Sequence, residues 1–399
     1  MKKALAFAAV LALAAGAAAF DQPVIATPTC THNNFRILEA VLPSILARSL
    51  RDSRNSEGLE AARYLDDHLG VAFRIAVDPS QSDAFGGRTS LGPTTMMAYS
   101  DAEQEIHIHH ALLHLDGGDE DLIIREPARL EKTAVRFWPE IVHETSHART
   151  HVGGGRFIGD AVIEDEFIAF YRQLFFVLEQ METDKGYLGI AKQAPCGRDH
   201  ASLLARYHAF EPRLRALAGL QRPNAADKRE RAALTKRADV LVSDEKSVEA
   251  RCPGFNAPEG DMALLLAMFA RSDDDVESEI RSTYEEKHRL SLDDPDLIPH
   301  ARAETEKSLG QFEAFLQRDL THKVPETDPG YATLSALTET TSRIVDSERK
   351  GLAFWSDPKT AVPAVAAYKS LMAHIRAEGD AKRARYALVL KPFAPAVAP

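Results

Sequence analysis

Residues 138–155 read "WPEIVHETSHARTHVGGG", with His143, Glu144 and His147 in the order H-E-x-x-H. Pro139 suits the first turn of a helix and Glu140 suits its positive end, while the glycines at 153–155 suit a stop. The spacing therefore predicts a helix over 139–152, unless the helical pattern upstream in "EPARLEKTAVRFW" makes Pro139 a kink instead of a start. On such a helix His143 and His147 are i and i+4 on one face, so both imidazoles can meet one cation. Glu144 is rotated by about 100°, which keeps it off the metal and sets it beside the remaining coordination position. A catalytic zinc keeps a water at that position with its pKa lowered towards about 7, and a carboxylate there can take the proton and return it to a leaving amine.

Chance can supply five residues, so the setting has to decide. Catalytic zinc commonly has three protein ligands, two histidines and a glutamate among them. Downstream, "AVIEDEFIAFYRQLFFVLEQ" carries Ile163, Phe167, Phe170, Tyr171, Leu174 and Leu178 as one apolar stripe. Glu164 and Glu166 flank that stripe on opposite sides and either can reach inward, whereas Asp165 is expected to point away.

With these residues the chain resembles the zincin metallopeptidases of the gluzincin type, in which H-E-x-x-H on one helix is completed by a glutamate on the next. Several such families read E-x-x-A with an aromatic next and a Gln further on, matched here by Glu166, Ala169, Phe170 and Gln173. The resemblance spans roughly residues 105–178 and is confined to motifs. It implies His143, His147 and Glu166 as Zn²⁺ ligands, with Glu164 as the alternative third ligand and Glu144 as general base. The metzincin pattern is disfavoured, because Thr150 and Gly153 stand where it needs glycine and histidine.

Zincins also place a strand that pairs with extended substrate before the active helix, and "EIHIHHALL" at 105–113 holds that place. Alternation of Ile106 and Ile108 with His107 and His109 is equally the pattern of any half-buried strand. Tyr171, Arg149 and His114 are candidate donors to an oxyanion. His151, four residues after His147, is expected to serve the helix C-terminus through the dipole.

The N-terminus, "MKKALAFAAVLALAAGAAAFDQ", has the basic, apolar and small-residue order of a secretory signal peptide over residues 1–19. Its apolar run is too short for a membrane span, and no later run is long enough. A periplasmic or secreted protein without a membrane span is expected. Losing Lys2 and Lys3 with that leader takes the net charge from −11 to −13, which argues against nucleic acid as a partner. Cys196 and Cys252 sit in Pro/Gly-containing breaks, and an oxidising compartment would permit a disulfide between them.

Up to about residue 195 the patterns mix. A helix is expected from near residue 34, a strand at "GVAFRIAV" and a hairpin at "TTMMAYSDAEQEIHIHHALL". Beyond 195, stretches rich in Ala, Leu, Glu, Lys and Arg alternate with breaks such as "RCPGFNAP" and "VPETDPG", as in a bundle of helices. The expected fold class is α+β, a zincin-like catalytic domain over 20–195 followed by an all-α helical domain over 196–399. The expected function is an exported zinc metallopeptidase acting on peptide or protein. The alternative is a non-catalytic helical binding or scaffold protein with a structural or vestigial zinc site.

Overall fold

The computed structural model describes residues 32–66, 72–76, 91, 97–100, 105–114, 120–151, 155–253, 255, 258–284, 289–318, 324–325, 327–328 and 331–395. The expected signal peptide lies outside them. The described chain is α+β and mostly helical, with one small sheet. No helix among the described residues is long and apolar enough to cross a membrane.

The described residues divide into two compact units built from separated segments, one from within 23–176 and 286–375, the other from within 177–285 and 376–399. The change of composition predicts a single boundary at 195. Composition changes there, but residues 286–375 belong with the sheet-containing unit.

That first unit opens with helices α1 (His32–Asp52) and α2 (Ser56–Asp66), followed by strands β1 (Ala72–Ala76), β2 (Met97–Ser100) and β3 (Glu105–His109). The strand order is β1-β3-β2, with β1 parallel and β2 antiparallel to β3. Phe73, Ile75, Ile106, Ile108 and Met97 are buried, and the register sets Ile75 and Met97 against Ile108 from either side. The expected hairpin is present. The expectation that residues 105–113 form a substrate-pairing edge is corrected: β3 is the middle strand, hydrogen-bonded on both sides, and β2 is an outer strand among the described residues. Alternation reports which face is apolar, not how many neighbours a strand has, and β1 reaches β3 from about thirty residues upstream.

Two short helices, α3 (Glu120–Arg125) and α4 (Pro127–Thr133), and a 3₁₀ turn at Ala134–Phe137 lead into α5 (Trp138–Thr150). Pro139 lies in the first turn of α5, where a missing N–H costs nothing, so it marks a start. Trp138 Nε1 donates to Ser49 Oγ of α1 at 2.9 Å and anchors that start to the core. Helix α6 (Gly155–Ala161) then turns the chain into α7 (Glu164–Thr183). Residues 162–169 are buried without interruption, so the opening of α7 has no solvent face.

In the second unit, α8 (Ile190–His208), α9 (Glu211–Gly219), α10 (Ala225–Arg251), α11 (Pro258–Phe269) and α12 (Asp273–Tyr284) pack as helices. Asn224 and Asp227 close α10 with a reciprocal capping box. A Cys196–Cys252 disulfide ties α8 to the end of α10. A Cβ at Gly197 would fall 2.4 Å from the Ala263 carbonyl oxygen, so α8 and α11 approach this closely only over glycine. Helices α13 (Leu297–Leu316) and α14 (Tyr331–Ser356) return to the first unit, α15 (Pro358–Arg385) follows, and α16 (Ala387–Leu390) ends the described fold.

Candidate metal centre

Helix α5 carries His143 and His147 one turn apart, and their Nε2 atoms are 3.2 Å from each other. Helix α7 brings Glu166 to the same point, its Oε2 3.6 Å from His143 Nε2 and 3.7 Å from His147 Nε2. Ligands at zinc distances of about 2.0–2.2 Å in a tetrahedron lie roughly 3.4 Å apart. The three atoms form a triangle of that size, so these residues fit a zinc ion.

The outward nitrogens of both imidazoles are taken. His143 Nδ1 faces Gln173 Oε1 at 3.2 Å, and an amide oxygen only accepts, so Nδ1 carries the proton. His147 Nδ1 donates to Asp165 Oδ2 at 2.6 Å. Both Nε2 lone pairs are thereby turned inward, the arrangement by which outer partners orient metal-binding histidines. Two lone pairs and a carboxylate pointed at each other repel unless a cation lies among them, a metal ion or, without metal, a proton shared by the two imidazoles across 3.2 Å. The electrostatics express the same demand. Burial disfavours a charged His147, but Asp165, Glu166 and Glu144 outweigh it and raise the imidazole to about 9. Burial likewise opposes an ionised Glu166, yet His147, His143 and Arg289 hold its carboxyl down at about 2.

Glu164, the alternative third ligand, is committed elsewhere. Its Oε1 accepts from Ser291 Oγ at 2.7 Å and its Oε2 from the Leu292 N–H at 3.1 Å. The same segment bridges to the start of α7 through Ile163 N–H to Leu290 O (3.1 Å) and Leu290 N–H to Ala161 O (2.9 Å). That pairing sets Arg289 against Glu166, with Nη1 2.9 Å from Oε1, leaving Oε2 to face the histidines.

Glu144 is partly buried beside the triangle, and its Oε2 accepts the Tyr99 N–H of β2 at 2.7 Å. The Tyr99 ring stacks over His147 with 6.5 Å between centroids, and Phe170 meets His143 edge-on at 4.5 Å.

Asp165 does not point away. It is buried, and it gathers His147, His151 (Nε2 to Oδ2, 2.9 Å), Thr150 (Oγ1 to Oδ1, 3.1 Å) and the Tyr368 hydroxyl of α15. With neighbours on every side of α7, polarity at one position could not signal solvent. His151 has a structural partner here, in a space that exists because residue 159 is glycine: a Cβ there would sit 2.0 Å from His151 Nε2. Of the candidate oxyanion donors, Tyr171 is fully buried, Arg149 pairs with Glu60, and the His114 side chain lies outside the described residues. Arg289 and Tyr368 were beyond sequence reasoning. They lie more than 120 and 200 residues from their partners in α7 and belong to no motif.

No family model, curated protein or solved structure matches the chain. The likeness to gluzincins therefore rests on its motif and on this geometry.

Proposed function

We propose that the protein is an exported zinc-dependent hydrolase of the gluzincin type, acting on peptide bonds, with the metal held by His143, His147 and Glu166. The observation that carries this reading is the inward-facing triangle of two Nε2 atoms and one Oε2, with the Glu144 carboxylate alongside. Zinc held there supplies a Lewis acid for the scissile carbonyl and eases deprotonation of water. Glu144 accepts the proton of the attacking water and passes it to the departing amine. The Tyr99 N–H fixes one oxygen of that carboxylate, leaving the other for water. Asp165 and Gln173 hold the two imidazoles in one tautomer, so neither nitrogen facing the metal carries a proton. Main-chain pairing of an extended substrate is assigned to β2, an outer strand, instead of β3.

The test is metal analysis of full-length protein purified without chelator, together with hydrolysis of an unfolded protein such as casein. About one zinc per chain and hydrolysis stopped by 1,10-phenanthroline support the reading. Absence of both metal and hydrolysis overturns it.

A further inference from the structure

The Asp165 carboxylate offers about four lone-pair positions: His147 Nδ1 and His151 Nε2 donate to Oδ2 and the Tyr368 hydroxyl to Oδ1, where Thr150 Oγ1 also lies at 3.1 Å, its single proton shared with the His147 carbonyl at 2.9 Å. Asp165, His151 and Tyr368 are 2 %, 6 % and 5 % exposed, so none of the three meets substrate. Three of the donors come from α5 or the residue after it. Only Tyr368 comes from the C-terminal part of the chain, on α15. A carboxylate held by donors at both oxygens is restrained from rotating, and His147 is bonded to it. The direction of His147 Nε2 thus depends on a hydroxyl 203 residues away from Asp165.

We infer that Tyr368 is a positioning residue for the metal centre: its hydroxyl restrains Asp165, which holds the His147 imidazole with Nε2 turned to the proposed zinc position. This rests on the zinc reading above. It makes α15 part of the site and metal affinity a property of the C-terminal segment as well as of the H-E-x-x-H helix. Tyr368→Phe removes one oxygen and keeps the ring, so it isolates the hydroxyl.

Zinc affinity is measured by competition with a chromophoric chelator on the full chain, alongside spectra of ¹⁵N-histidine-labelled metal-free protein. Tyr368→Phe should weaken zinc by about tenfold, the lower end of what loss of an outer partner brings, and Asp165→Asn by up to about 100-fold. The His147 Nδ1–H signal should move in both. Thr150→Val, which removes the other Oδ1 donor, should act in the same direction and serves if Tyr368→Phe does not fold. Lys369→Ala, which breaks only an exposed pair with Asp293, should leave affinity and spectrum unchanged. Wild-type zinc affinity and an unmoved His147 signal in Tyr368→Phe overturn the inference, whatever happens to its melting temperature. Failure of the wild-type chain to bind zinc is a different result, which overturns the zinc reading and this inference with it.

Discussion

The main-chain N–H of Tyr99 donates to Glu144 Oε2 at 2.7 Å, joining an outer strand of the sheet to the carboxylate beside the histidine pair. A glutamine at 144 keeps an oxygen for that N–H but cannot take a proton. Glu144→Gln should therefore retain about one zinc per chain and lose hydrolysis by about 10²–10⁴-fold, the usual contribution of a general base. Steady-state assays with parallel metal analysis check this. Unchanged turnover would remove Glu144 from the chemistry.

Glu164 and Glu166 differ in what they touch, and their variants should differ accordingly. Glu166→Gln takes a charged corner from the triangle and should lower zinc affinity well beyond the roughly 10–100-fold of an outer partner. Glu164→Gln should bind zinc normally and cost about 1–3 kcal/mol of stability, because Ser291 and Leu292 donate to that carboxylate. Chelator competition and urea unfolding of both variants separate the two roles. Reversed results would make Glu164 the ligand.

Away from the candidate metal centre, the second unit half-buries Glu279 of α12 with its Oε2 3.6 Å from His208 Nε2 of α8. Burial, reinforced by the charge of Glu245, raises Glu279 to about 7, and burial also lowers His208 from its ordinary value, disfavouring its cation. For a carboxyl raised in the fold, the protonated form is the one the fold favours. Its contribution is present below the unfolded value of 4.5 and is lost as pH climbs from there through about 7. Glu279→Gln should match wild type near pH 4 and exceed it by about 1–3 kcal/mol at pH 8. Denaturant unfolding across that range provides the comparison, and a constant difference would refute the linkage.

The Cys196–Cys252 bond closes 56 residues of chain within the second unit. Replacing both cysteines with serine should cost about 2–4 kcal/mol through the freer unfolded chain. Zinc stoichiometry should not change, since no proposed ligand lies in that loop. Calorimetry and metal analysis of the double variant are sufficient, and loss of zinc would show that the loop supports the metal site.

Much of the local structure follows from spacing alone. A step of four residues from His143 to His147 is about one helical turn, so any α-helix through 138–150 sets them on one face. Pro139 suits the start of that helix because main-chain N–H groups of the first turn have no intrahelical partner. The hairpin was equally local, two β-rich runs across a polar turn. The stripe of Ile163, Phe167, Tyr171, Leu174 and Leu178 marked the buried side of α7. It does not show that the opposite side is buried too, which is why the pattern alone points Asp165 away.

What the sequence by itself determined is therefore each element and the face on which its chemistry stands. Three decisions belonged to the tertiary structure: which strand lies at the centre of the sheet, which of two glutamates turns to the histidines, and which distant residues complete the centre. Periodicity encodes the orientation of a side chain about its own helix or strand. It carries no information on partners such as Arg289 and Tyr368, which meet Glu166 and Asp165 only once residues 286–375 have packed against the sheet-containing unit.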